Sequence, residues 1–233
     1  MILVNGDSFT FGDGLTSTET PWPNLLFKNQ CNNIAESGSS NASIFRRSLE
    51  EIYQNPYTIL VVAWSALYRL EWADNYGKAK TFLLHNKTDN QSADKIIKEL
   101  ITNWHNEFWY FKQFLITLSN LKLHCSHLGI KFYCLHTADM SMLYSTNRYS
   151  DYLTFWKLFN LDYYSDQEIQ QEFNFLNRLI KETADCWILP PNERIKKFYG
   201  SNILSSSDYH PNQIGHQLIA NGLEQLFELK TYK

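Results

Sequence analysis

The chain has 233 residues, a length that points to one large domain or to one domain carrying insertions. Hydrophobic residues make up 44% and charged residues 19% of it, which excludes a disordered tail and leaves ample side chain for a core. A net charge of −3 and a pI near 6.2 argue against a nucleic-acid partner, and the longest apolar run, Ile59 to Trp64, is too short to span a membrane.

In chain order, Ile2 to Asn5 reads as a first strand. No basic, apolar leader precedes it, so the expectation is a cytoplasmic protein with no cleaved signal. A helix over Trp22 to Gln30, a weak strand at Asn33 to Ala35 and a helix over Asn41 to Gln54 follow. Thr58 to Trp64 is the strongest strand. The polar stretch 74–90 reads as an insertion. A long helical pattern from Ala93 to His127 closes on Gly129, then Ile130 to His136 forms a fourth strand. A second insertion, 138–166, is crowded with tyrosine, phenylalanine and tryptophan. Asp166 to Ala184 is helical, Cys186 to Leu189 is a short fifth strand, and Pro211 to Lys230 is the last helix.

Strands apolar on both sides, alternating with helices, call for a parallel sheet covered on both faces. The expected fold is therefore α/β: a flavodoxin-like three-layer α/β/α sandwich whose five parallel strands run in the order 2-1-3-4-5. With no repeat or linker, the whole chain is read as a single domain. Its four cysteines, Cys31, Cys125, Cys134 and Cys186, are scattered, and are read as free thiols rather than disulfides or metal ligands. No metal site and no cofactor are expected.

The chemistry concentrates at the two ends of the chain. The first strand runs into Gly6-Asp7-Ser8, which sets a serine one step beyond a strand end, beside a turn rich in N–H groups. Such a turn also suits a phosphate, so a flavodoxin-like binder of a phosphate-bearing ligand is one alternative. Near the other end, Asp208-Tyr209-His210-Pro211-Asn212 precedes the last helix. Pro211 fits a first helical position, which would set His210 at the helix mouth as a neutral proton acceptor with Asp208 to orient it. Ser8, Asp208 and His210 then supply nucleophile, orienting acid and base.

These blocks resemble the SGNH (GDSL-type) hydrolase superfamily, serine esterases and acyl hydrolases on a flavodoxin-like sheet. The resemblance rests on Gly6-Asp7-Ser8, on Asn33 to Asn41 and on Asp208-x-His210-Pro211-Asn212-x-x-Gly215-His216. It implies that Ser8 is the nucleophile and that the N–H groups of Ser8 and Gly38 form the oxyanion hole. Two departures stand out. The third block of the family carries Gly-x-Asn-Asp, whose asparagine the resemblance implies as a further oxyanion donor, whereas here the third strand ends in Trp64-Ser65 and Ser65 is the nearest residue able to take that place in the oxyanion hole. The family spacing Asp-x-x-His is shortened to Asp208-x-His210, with Ser207 at the usual acid position. Variant members from bacteriophage look similar, with Trp-Ser followed by Arg-x-Glu, here Arg69-Leu70-Glu71.

Asn41, Trp64 and Arg69 are the candidate substrate-binding residues around the crevice. Asn41 is alternatively the cap of its helix, and Arg69 alternatively an ion-pair partner of Glu71 or Asp7. The expected activity is hydrolysis of short-chain, acetyl-type esters on a small molecule or glycan, with no membrane span and no nucleic acid involved. The alternative is a non-catalytic member of the same fold, a glycan-binding or phage structural protein. If the chain is phage-encoded, a virion-associated location is the alternative to the cytoplasm.

Overall fold

In the computed structural model, the described residues are 1–67, 69–73, 79–83, 95, 98–99, 107–137, 164–189, 193, 195–198 and 210–231. Four parallel strands form the main sheet: β1 (Ile2–Gly6), β2 (Cys31–Asn33), β3 (Ile59–Trp64) and β6 (Lys131–His136), in the order β2-β1-β3-β6. Between β3 and β6 in the chain, β4 (Arg69–Ala73) and β5 (Ala79–Leu83) pair antiparallel as a separate two-stranded sheet. The helices are α1 (Ser8–Phe11), α2 (Trp22–Leu26), α3 (Asn41–Gln54), α4 (Glu107–His127), α5 (Asp166–Glu182) and α6 (Gln213–Thr231).

Alternation along the strands sorts the core into two layers. Leu3, Leu60, Val62, Trp64, Phe132 and Cys134 face a core shared with α3, α4 and α5. Val4, Val61, Ala63 and Leu135 face the other way, toward Trp22 on α2 and Ile219 and Leu223 on α6. This is the expected three-layer sandwich, and its first four strands follow the expected order.

The fifth strand is corrected. Among the described residues the backbone of Cys186 to Leu189 pairs with β6 through an isolated parallel bridge between Cys134 and Trp187, with one bond from Ile188 N–H to the Cys134 carbonyl at 2.9 Å. The segment does lie outside β6, where a fifth strand belongs. Pro190 and Pro191 follow directly, and a residue without an N–H cannot extend a ladder. The sheet therefore has four strands among the described residues.

Local chemistry explains the helix limits. Ser40 caps α3 by accepting from Ser43 N–H at 3.0 Å, so Asn41 is the first helical residue and not the cap. Ser165 and Glu168 form a reciprocal capping box on α5. At the end of α4, Gly129 takes φ +69°, its N–H reaches Ser126 O, and Ile130 N–H reaches Cys125 O. That is a Schellman closure, as the glycine suggested. Helix α6 begins later than expected. Asn212 accepts from Gly215 N–H at 3.1 Å, so the helix starts at Gln213 and Pro211 stands outside it. His210 thus precedes the helix by three residues instead of sitting at its mouth.

All four cysteines are free, and Cys125, Cys134 and Cys186 are buried. Among the described residues no group of side chains is arranged to hold a metal, and no helix is long and apolar enough to cross a membrane. The second insertion, apart from its last three residues, and most of the first lie outside the described residues.

Candidate active site

The sheet register aligns three strand ends. Gly6 pairs with Ala63, and Trp64 pairs with His136, so residues 7–8, 65 and 137 emerge side by side at the carboxyl edge. Gly6 is required by close approach. A Cβ there would stand 2.4 Å from Thr10 Oγ1 and 3.0 Å from the Ala63 carbonyl, which would push α1 off the sheet. Helix α1 begins at Ser8. Asp7 caps it, accepting from Phe9 N–H at 3.2 Å, and Gly12 closes it with φ +102°.

Asp7 is enclosed by the other strand ends. Thr137 Oγ1 lies 2.9 Å from Asp7 Oδ2 and 3.0 Å from the Trp64 carbonyl, so one hydroxyl proton serves both acceptors. Arg69 Nη1 is 3.9 Å from Asp7 Oδ2. Burial raises the Asp7 carboxyl above its ordinary value, opposed by the Arg69 charge, the Ser65 and Thr137 hydroxyls and the Phe9 N–H. Ser65 Oγ is itself buried near this carboxyl without a hydrogen bond of normal geometry. Asp7 is therefore a support for the loops that meet here.

Asn41 does something the sequence did not suggest. Its Nδ2 donates to the Ser65 carbonyl at 3.0 Å, while its Oδ1 accepts from Ser65 N–H at 2.8 Å. This two-point clamp ties the start of α3 to the end of β3. Trp64 is fully enclosed, with its ring edge-on to Phe114 at 5.5 Å. It is a core residue and has no surface to offer a ligand. Arg69 is nearly buried and donates to the Ser39 carbonyl at 3.1 Å. Its pairing with Asp7 matches one of the two ion pairs considered. Glu71 is instead engaged by Ser40 and Arg46, each at 2.7 Å.

Gly38 occupies a turn with φ +75°, and a Cβ built on it would meet open space. Arg47 fixes that turn by pairing with Glu36 and donating to Ser39 Oγ at 2.7 Å. Neither Ser8 N–H nor Gly38 N–H donates to an acceptor among the described residues. Two free N–H donors in neighbouring turns are the raw material of an oxyanion hole.

His210 lies beside the serine turn. Its ring centroid is 4.9 Å from that of Phe9, the residue after Ser8. Asp208 lies outside the described residues. The segment 20–22 holds α6 in place. Thr20 N–H donates to Gln213 Oε1 at 2.7 Å, Gln213 Nε2 returns a bond to Thr20 O, and Trp22 N–H donates to His216 Nδ1 at 3.0 Å. His216 thus ties the last helix to α2. Thr137 and Gln213 were not singled out in the sequence, because no local pattern marks them.

Two buried histidines give the stability a pH dependence. Burial lowers His216 to about 4 and His136 to about 3. Both are neutral in the folded protein at pH 5, whereas in the unfolded chain both are protonated below about 6.5. The unfolded state then binds more protons, so stability falls as pH drops from 6.5 toward 4. Between pH 7 and pH 5 each histidine is expected to remove about 2 kcal/mol. The raised carboxyl of Asp7 acts in the opposite sense, gaining a proton in the folded state first. Urea midpoints at pH 7 and 5 check this, and a His136→Phe variant should flatten the dependence.

No protein-family model and no curated protein matches the chain by sequence. Solved structures do match along nearly its whole length. A G-D-S-L family protein from Desulfitobacterium hafniense is 11% identical, covering 97% of this chain and 98% of its own, with a TM-score of 0.52. TesA is 11% identical, covering 98% of both chains, with a TM-score of 0.54. The psychrotrophic esterase EstA from Pseudoalteromonas sp. is 12% identical, covering 100% of this chain and 98% of its own, with a TM-score of 0.53. Together with the strand order and the position of Gly6-Asp7-Ser8, these matches show that the chain has the fold of the SGNH (GDSL-type) hydrolases.

Proposed function

We propose that this protein is a serine ester hydrolase, acting as a single domain, with Ser8 as nucleophile and His210 as general base. The observation that carries the reading is the meeting of the chain's two ends, where the His210 ring packs on the residue that follows Ser8. Ser8 Oγ would attack the ester carbonyl as His210 takes its proton, forming an O–C bond and moving the carbonyl pair onto oxygen. The N–H groups of Ser8 and Gly38 would hold that oxyanion. Collapse then breaks the bond to the alcohol, which leaves with the proton, and water repeats the sequence to free the acid. Asp208 is proposed to orient His210. A matched structure was solved after inhibition by monoethylphosphonate, an inhibitor class that the proposed serine site would also accept.

Short acyl groups, acetyl above all, are the proposed substrates, with glycan O-acetyl esters as the natural class. The test is hydrolysis of p-nitrophenyl acetate, butyrate and octanoate by wild type and Ser8→Ala. Wild-type turnover that favours acetate and falls at least about 1000-fold in Ser8→Ala is the expected result. Equal, background rates in both proteins would leave the non-catalytic, ligand-binding reading in its place.

A further inference from the structure

We infer that Arg69 is the third oxyanion donor of this site, its guanidinium taking over from the asparagine that the block after β3 lacks. The inference rests on the ester-hydrolase reading and assigns a role that the reading leaves empty.

Three side chains near the end of β3 have N–H or O–H groups to give. Asn41 is held in place as a clamp, since both ends of its amide are bonded to the Ser65 backbone. Ser65 points its hydroxyl into the buried neighbourhood of Asp7, against a carboxyl that competes for its one proton. Arg69 remains. Its Nη1 bridges the two turns that bear the free N–H donors, at 3.1 Å from the carbonyl of Ser39, next to Gly38, and at 3.9 Å from the carboxyl of Asp7, next to Ser8. Its Nε is buried and has no hydrogen-bond partner among the described residues. A guanidinium carries five N–H groups, and the described contacts leave most of them open.

A carbonyl oxygen that becomes anionic between Ser8 and Gly38 is a suitable acceptor for a guanidinium that already reaches both turns. A cation there opposes the developing charge more strongly than a neutral amide does, because charge-assisted bonds are roughly twice as strong as neutral ones. The bland role for the same contacts is a strut between loops, and the experiment separates the two.

The experiment measures kcat and KM on p-nitrophenyl acetate for wild type, Ser8→Ala, Arg69→Met and Asp7→Asn, with thermal unfolding of each. Asn caps a helix as well as Asp does, so Asp7→Asn removes the strut's charge pair and leaves the guanidinium. The expected result is a loss in kcat of about 100- to 1000-fold in Arg69→Met with little change in KM, and a loss of no more than about 10-fold in Asp7→Asn. Equal losses in the two variants, or a loss confined to KM, would overturn the proposal while leaving the hydrolase reading intact. Should Arg69→Met fail to fold, Arg69→Gln decides. It can keep the bond to the Ser39 carbonyl but not the cation, and wild-type kcat in that variant would sink the idea. Background activity in wild type and Ser8→Ala alike removes the hydrolase reading and this inference with it.

Discussion

His210→Ala is expected to lower kcat on p-nitrophenyl acetate by about a thousand-fold or more, with little change in thermal stability. The rate loss follows from chemistry. A serine hydroxyl is a poor nucleophile until a base takes its proton, and removing either partner of such a pair costs about as much as removing both. The small effect on stability follows from placement. His210 is only half-buried and stands ahead of α6. Asn212, Gln213 and His216 hold that helix through bonds of their own. A His210→Ala protein that keeps wild-type turnover would mean that the base lies elsewhere. A Ser8→Ala, His210→Ala double variant should be no slower than either single one.

Trp64→Ala is expected to cost about 3 to 5 kcal/mol in urea unfolding, the range for emptying a buried aromatic site. Trp64 is among the largest fully buried side chains, packed on Phe114 within the core shared by α3, α4 and α5. Trp64→Phe should behave quite differently. The indole N–H has no hydrogen-bond partner among the described residues, so phenylalanine removes an unsatisfied donor along with some volume, and the two effects oppose each other. The folded Trp64→Phe protein should bind ester substrate with an unchanged KM, because the ring faces the core. A raised KM with normal stability would return Trp64 to the crevice.

The contrast at Trp64 and Ser65 marks how far residue pattern alone reaches. Helix α3 begins and ends where its periodicity says, at Asn41 and Gln54, because amphipathic spacing and a capping serine are local signals. Strands β1, β3 and β6 were legible as apolar runs for the same reason. The fifth strand is reduced to a single bridge, because Cys186 to Leu189 is apolar enough to pair yet runs directly into two prolines in the sequence. Strand-end side chains are harder still. Which of Trp64 and Ser65 faces the core depends on the pleat of β3 against β6, and the Asn41 clamp depends on a 24-residue separation folded down to one hydrogen bond's length. Ser8, Gly38 and His210 could be named from short motifs. The arginine beside Asp7 could be named only as one of two possible ion pairs, since nothing in a string of letters says which carboxylate it finds.

The clamps also bear on how such a protein tolerates change. Asn41 grips the amide and carbonyl of residue 65, and Gln213 grips those of residue 20. Every amino acid except proline presents the same two groups. The grip itself therefore asks for no particular side chain at either position. A loop fastened in this way can change its spelling and keep its place, and this chain keeps its fold at 11–12% identity to the structures it superposes on.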